Sequence, residues 1–278
     1  MVSIVIPAHN EEQVIGRCLA ALVGTTLIDD AQVIVVANGC IDGTADRARL
    51  FPGVQVLEMP AANKAAALNL GDEHAVGFPR FYVDADVELA IGAICGVASV
   101  LERDEVLVAA PSMAVDLSEC PWSVRAFYEF WARLPYATSG HIGGAYGMSE
   151  AGRSRFDLFP DAIADDLFVR SLFAPAEVAI VRDHCFIVYP PKTLRSLVKV
   201  RSRVLAGNMQ IRRRWPESLP PLGSRPFRSV VTRPRLWPEA AVYTSVYAAA
   251  RIRAEWKLRY GDVHAWERDE TARTAVDP

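Results

Sequence analysis

Short apolar runs alternate with stretches of helical spacing through the first half of this chain. Val2–Ile6 reads as a strand, apolar but for Ser3. From Glu11 to Val23 the apolar positions Val14, Ile15, Cys18, Leu19 and Leu22 share one helical face, with Asn10 placed to cap it. The alternation continues with a strand at Gln32–Ala37, a helix at Thr44–Leu50, a strand at Val54–Leu57, a helix at Lys64–Ala75 and a strand at Phe81–Val83. Beyond these the pattern predicts a helix at Ile91–Glu102, a strand at Val106–Ala110 and an amphipathic helix at Trp122–Leu134. A Gly-containing loop at residues 139–144 leads to a strand at Ala145–Met148, and a helix starts near Asp161. Val178–Val181 and Phe186–Tyr189 read as two strands, and Thr193–Leu205 as a basic helix. Residues 216–238 are too rich in Pro and Arg for regular structure, and a last helix covers Glu239–Tyr260.

Strands alternating with helices predict a mostly parallel sheet covered on both faces, in the α/β class. Such sheets bind ligands beyond the carboxyl ends of their strands. Asn10, Asn38, Asp42, Asp84 and Asp86 all fall just past a predicted strand end.

Composition narrows the function classes. The chain has 278 residues, 51% of them hydrophobic, enough for a substantial core. A net charge of -3 argues against nucleic acid as the main partner. Charge is nonetheless uneven: residues 192–235 hold twelve Lys and Arg against Glu217 alone, a stretch that needs a diphosphate, an acidic face or an anionic membrane opposite it. The five cysteines are scattered without a CxxC, so neither a zinc knuckle nor a disulfide framework is expected. With no signal-type leader and no apolar stretch near 20 residues, a cytoplasmic protein is expected, one that could work at the inner face of the membrane.

The first loop, Pro7-Ala8-His9-Asn10-Glu11-Glu12, contains no glycine, which excludes a dinucleotide-binding fingerprint; a Walker A loop is absent as well. Amide and carboxylate groups there suit a nucleobase and ribose. Asp84-Ala85-Asp86, at the end of the run Arg80–Val83, can hold a hard divalent cation beside a diphosphate. Each feature also has a plain structural reading. Asn10 and Glu11 suit a helix start, Asn38-Gly39 a turn, and Asp165-Asp166 the first turn of another helix.

In order and spacing, Pro7-x-x-Asn10-Glu11, the Asn38–Asp42 loop, Lys64 before a small-residue helix, and Asp84-x-Asp86 together resemble the family-two inverting glycosyltransferases of GT-A fold. The resemblance covers about residues 2–207. It implies that Pro7, Ala8, Asn10 and Glu11 surround the base and ribose of a nucleotide sugar, with Asn38 and Asp42 against the base. It implies Asp86 as a direct Mg or Mn ligand, Asp84 on the ribose or a metal-bound water, and Lys64 near the diphosphate or Asp84. Asp166, second of an acidic pair with Asp165, is implied as the base that deprotonates the acceptor hydroxyl, with Asp161 a weaker choice. Gly143 and Gly144 resemble the acceptor loop. His184 lies where some relatives place a further metal ligand, although it and His141 have ordinary structural readings too. The Gln-x-x-Arg-Trp signature of polymer synthases is missing: Val200 and Val204 stand at its Gln and Trp positions. Arg201 and Arg203 persist and could reach the diphosphate.

The expected organisation is a catalytic domain over 1–207, with a nucleotide-sugar half to about 110 and an acceptor half from 111, followed by a basic, helical appendage over 208–278. The expected partners are a nucleoside-diphosphate sugar and a hydroxyl acceptor from a glycan, a lipid-linked molecule or a small molecule. A nucleotidyltransferase and a sugar-nucleotide-binding relative without transferase activity are the alternatives.

Overall fold

The computed structural model describes residues 1–23, 31–134, 142–216 and 234–260. The expected loop at 139–141, His141 included, and most of the Pro/Arg stretch (217–233) lie outside these. The described chain forms two compact units, one from Met1–Ala114 with Ile142–Val188, the other within Val115–His141 and Tyr189–Thr274. The helix Leu194–Arg214, in the second of these units, runs through residue 207.

The first unit is built on an eight-stranded sheet among the described residues: β1 (Val2–Ala8), β2 (Ala31–Asn38), β3 (Val54–Met59), β4 (Arg80–Val83), β5 (Val87–Leu89), β6 (Val108–Val115), β7 (Ala145–Met148) and β8 (Val178–Val188). Their order is β3-β2-β1-β4-β7-β6-β8-β5. The first four are parallel, as the βα alternation requires, and β7 then runs antiparallel to both β4 and β6. Helices α1 (Glu12–Val23), α2 (Thr44–Arg49), α3 (Lys64–His74) and α4 (Ile91–Leu101) connect or flank these strands.

The core lies between the sheet and α1 and α4, where Ile4, Ile6, Ile15, Leu19, Val35, Phe81, Ile94, Val97 and Phe186 form one buried cluster. Removing such surface from water is the main stabilising term, about 25 cal/mol per Å². On the other face α3 sits so close to the sheet that a Cβ on Gly71 would fall 2.4 Å from Val5 Cγ1. The Ala-rich composition of α3 serves the same close approach.

Two sequence-based boundaries change. β5 went unpredicted because three residues after a polar turn carry almost no periodicity; its place is fixed by antiparallel pairing of Val87–Leu89 with Phe186–Val188. The two strands expected at 178–181 and 186–189 are one, since Arg182 and Asp183 stay exposed along a continuous β8. Two short helices follow β7: α6 (Glu150–Arg153) and α7 (Asp165–Ser171), the latter starting four residues later than expected.

The second unit contains α5 (Trp122–Trp131), α8 (Leu194–Arg214) and α9 (Trp237–Tyr260). Its centre is aromatic: Tyr243 stacks on Phe127 at 5.1 Å and lies 4.9 Å from Phe130. Pro238, at the second position of α9, costs no intrahelical bond there.

Candidate active site

Because β1, β2 and β4 are parallel, their carboxyl ends, Ala8, Asn38 and Val83, deliver three loops to the same edge of the sheet. The first two loops interlock. Asn10 takes φ +53, a left-handed backbone that Asn tolerates better than most residues. Its Oδ1 accepts from the Ile41 amide at 2.7 Å, and its own amide donates to Cys40 Sγ at 3.3 Å. With Oδ1 so engaged, Asn10 Nδ2 faces His9 Nε2 at 3.2 Å, while His9 Nδ1 lies 2.6 Å from the Asn38 carbonyl. A carbonyl only accepts, so the His9 proton belongs on Nδ1 and Nε2 accepts from Asn10.

Asp42 caps the neighbouring loop: Oδ1 accepts from Thr44 Oγ1 (2.5 Å) and the Thr44 amide (3.1 Å). Thr44 Oγ1 in turn accepts from the Glu11 amide at 2.7 Å, and the Glu11 carbonyl starts α1 by accepting from Val14 and Ile15. Asn38 is fully buried, and its carboxamide donates to the Ala8 carbonyl at 2.8 Å. It therefore shapes the Pro7-Ala8 loop from inside the sheet.

The third loop carries the acidic motif. Asp84 is partly exposed and Asp86 exposed. The Asp84 amide donates to the Gly144 carbonyl at 2.8 Å, so the Gly143-Gly144 segment is held directly against the motif. Gly144 has φ +88, and a Cβ there would fall 2.7 Å from Phe186 Cε2. Backbone conformation and space both demand glycine at this position.

Lys64, first residue of α3, brings the carboxylates together. Its Nζ lies 2.7 Å from Asp84 Oδ1 and 2.7 Å from Asp165 Oδ1. A cation at a helix N-terminus is unfavourable by itself, and the two anions offset that cost. Burial alone would lower the Lys64 pKa, but Asp165 and Asp84 overcome it and hold the ammonium above its usual range. Asp165 is 7% exposed, and its Oδ2 accepts from the Tyr146 hydroxyl at 3.2 Å. Half-buried Asp166 follows at the start of α7, with Oδ1 accepting from the Leu167 amide at 2.8 Å. Burial pushes both carboxyls above the ordinary Asp range, and Lys64 pulls the other way. Tyr146, raised well above the normal phenol range by burial and by Asp165, stays a hydrogen-bond donor.

The segment before this acidic pair is fastened to α3. Asn63 caps the helix and donates Nδ2 to Asp161 Oδ1 at 3.0 Å, so that carboxylate serves the loop. Asn69 and the Phe159 backbone exchange two hydrogen bonds, at 3.1 and 2.8 Å. Underneath lies a buried charge cluster. Asp72 Oδ1 accepts from Arg80 and from the Tyr82 hydroxyl, both at 2.6 Å, and Oδ2 accepts from Arg153 Nε at 2.6 Å. Arg153 also donates to the Phe156 and Asp157 carbonyls. The Tyr82 ring stacks on Tyr146 at 5.4 Å. Sequence reasoning did not single out Tyr146, Tyr82 or Asp72; the available signal was a tyrosine inside an otherwise apolar run, whose hydroxyl needs a partner when buried.

The structure thus groups Lys64, Asp84, Gly144 and Asp165, with Asp86 and Asp166 adjacent in sequence. It does not group His184 with them: a Cβ on Gly96 would fall 2.3 Å from the His184 ring, so the ring packs on α4. Among the described residues no three His, Cys, Asp or Glu side chains converge into a metal cluster. The residues at the motif fit a cation of another kind. Carboxylate oxygens of Asp84 and Asp86 are the donor type that a hard divalent ion takes, with phosphate and water completing its shell; one Asp84 oxygen is also paired with Lys64. Arg201 and Arg203 lie on α8 in the second unit, where the Arg201 guanidinium is 5.7 Å from the Phe127 ring centroid.

Comparison with known proteins places the chain by family and by fold. Residues 3–147, just over half the chain, match the model of glycosyl transferase family 2. Glycosyltransferase AglE of Haloferax volcanii is 34% identical over 91 residues, 31% of this chain and 30% of that protein, so the chain spans under a third of this relative's length. Among solved structures, mannosyltransferase PcManGT from Pyrobaculum calidifontis, in complex with GDP-Man and Mn2+, superposes with a TM-score of 0.61 at 20% identity, covering 94% of this chain and 76% of that one. Glucosyl-3-phosphoglycerate synthase from Mycobacterium tuberculosis, solved with Mn2+, UDP-glucose and phosphoglyceric acid, gives 0.56 at 18% identity over 76% of this chain and 79% of that one. TarS 1-349 of S. aureus, with UDP, gives 0.52 at 14% identity over 93% and 91%. At these identities the likeness establishes the fold, which is GT-A.

Proposed function

The chain belongs to glycosyl transferase family 2, and on that premise we propose a metal-dependent, inverting, non-processive transfer of one sugar from a nucleoside-diphosphate sugar to an acceptor hydroxyl. The pathway fitting this activity is glycan, glycolipid or cell-envelope synthesis. The single observation that carries the reading is Lys64, whose ammonium bridges the first carboxylate of the Asp84-Ala85-Asp86 motif and the first of the Asp165-Asp166 pair. That bridge ties a site suited to a diphosphate and cation to a site suited to a base.

In this mechanism the loops holding Asn10 and Glu11 receive the base and ribose. Asp86 and Asp84 would hold Mg or Mn, which would neutralise charge on the nucleoside diphosphate. Lys64 supplies a fixed positive charge beside the same group. Asp166 takes the proton from the acceptor hydroxyl as the oxygen attacks the anomeric carbon, and the bond from that carbon to the diphosphate oxygen breaks. One displacement with one base inverts the configuration and leaves no sugar on the protein. Asp165 is held by Lys64 and Tyr146, and this reading gives the proton transfer to Asp166, the second member of the pair.

Calorimetric titration with UDP, GDP and dTDP, each with and without Mn2+, tests the donor half. The expected result is metal-dependent binding of one nucleotide, reduced at least tenfold in Asp86→Ala. Nucleotide binding without sugar transfer from any donor would favour the non-transferase relative. Diphosphate release from a nucleoside triphosphate and a sugar phosphate would favour the nucleotidyltransferase.

Helix α9 favours a membrane contact for the acceptor. Trp237, Ile252, Trp256 and Tyr260 are each more than half exposed along it, with Arg251 and Arg259 exposed among them. Aromatic rings beside cations suit the headgroup layer of an anionic membrane. Among the described residues no helix is long and apolar enough to cross a membrane. We therefore propose peripheral attachment, at the inner face. The protein should float with vesicles containing phosphatidylserine but not with phosphatidylcholine alone, and Trp256→Ser should reduce flotation several-fold. Equal recovery from both vesicle types would remove the electrostatic part of this reading.

A further inference from the structure

We infer that Tyr146 is a positioning residue for the transfer reaction, holding Asp165 so that Asp165 holds Lys64 against the donor diphosphate. The inference rests on the transferase reading and adds a residue to it. Four contacts form the chain of argument. Tyr146 Oη donates to Asp165 Oδ2 at 3.2 Å, and Asp165 Oδ1 is 2.7 Å from Lys64 Nζ. Lys64 Nζ is also 2.7 Å from Asp84 Oδ1. Behind them the Tyr146 ring is fixed by stacking on Tyr82, whose hydroxyl is bound to Asp72.

Geometry gives each group one available task. Asp165 is buried and a carboxylate has two oxygens to offer; Lys64 takes one and Tyr146 the other. A carboxylate so held cannot rotate, and the ammonium it carries is confined beside Asp84. Without the tyrosine hydroxyl, Oδ2 would face buried surroundings that offer little to an anion. A hydrogen bond donated to an ionised carboxylate also favours the ionised form. Lys64 also favours the Asp165 anion, while burial and the neighbouring carboxylates of Asp166 and Asp84 disfavour it; loss of the tyrosine bond therefore lets Asp165 take up a proton at higher pH, and a neutral Asp165 would release Lys64. Tyr146 is thus a support for charge at the site, placed there by β7, which sets it opposite Tyr82 on β4.

Tyr146→Phe removes the hydroxyl and keeps the ring that stacks on Tyr82, so folding is not the variable tested. Nucleoside-diphosphate binding in the presence of Mn2+ should weaken about three- to tenfold, and its acid-side limb should move to higher pH. The KM for donor should rise with little change in kcat. In an Asp165→Asn background, where no charge remains to support, the same substitution should have little further effect. Wild-type affinity and an unmoved pH limb in Tyr146→Phe would overturn the inference, as would an equal loss with or without Asp165, which would mark a packing effect. Failure of the wild-type protein to bind any nucleoside diphosphate would instead overturn the transferase reading, and this inference with it.

Discussion

Asp166→Asn should abolish sugar transfer almost completely, by about 10²- to 10⁴-fold in kcat, the usual contribution of a general base. Nucleotide binding in the presence of Mn2+ should survive, because donor contacts are assigned to Asn10, Glu11, Lys64, Asp84 and Asp86. The same residue sets a pH dependence. Burial holds the Asp166 carboxyl above the ordinary Asp range, with Lys64 opposing. A base works only when deprotonated, so activity should be present above that raised pKa and fall as pH drops through it. The acid limb of kcat/KM should accordingly lie above that of an exposed aspartate. Steady-state rates of wild type and variant across pH, with calorimetry on both, check this. A fully active Asp166→Asn would exclude the residue as base and return attention to Asp161. A matching loss of nucleotide binding would move Asp166 into the donor site.

The largest effect on stability is expected from Asp72→Ala. Asp72 is 9% exposed, and its carboxylate answers Arg80, Arg153 and the Tyr82 hydroxyl together. Removing it leaves two guanidinium groups close together, one of them buried, without their counter-ion. Breaking a buried ionic cluster in this way costs about 3–5 kcal/mol, which for a chain of this size lowers Tm by roughly 10 °C. Thermal unfolding followed by circular dichroism reads the shift. Because Tyr82 stacks on Tyr146 and Arg153 holds the Phe156–Asp157 backbone, the variant should also lose activity below its melting temperature. A shift under about 2 °C would mean the cluster relaxes, with water replacing the carboxylate.

Asp72 shows where sequence reading stops. It sits in a predicted helix as one more polar residue, and nothing local reports that Arg80 and Arg153 lie across it. Tyr146 is similar, since a strand residue shows its period but not the group opposite its side chain. Asn38 is the converse. Its position past a strand end suggested a ligand contact, and the fold buries it entirely. For His184 the family resemblance implies a weak metal ligand beside an ordinary structural reading, and its ring lies against Gly96.

The sequence by itself determined the α/β class, the parallel half of the sheet, the three loops at its carboxyl edge and the acidic motif on one of them. These follow from local information: periodicities of two and 3.6, turn chemistry, and a parallel topology that sends alternate loops to one end. Only the tertiary structure decided that Lys64 joins Asp84 to Asp165, that Tyr146 takes the other oxygen of Asp165, and that Gly144 lies against both Asp84 and Phe186. Those contacts join residues 19 to 101 positions apart in the sequence. They exist because strands β4 and β7 pair antiparallel and α3 packs down on the sheet. Pairing and packing of that kind depend on the whole core, which no short window of sequence contains.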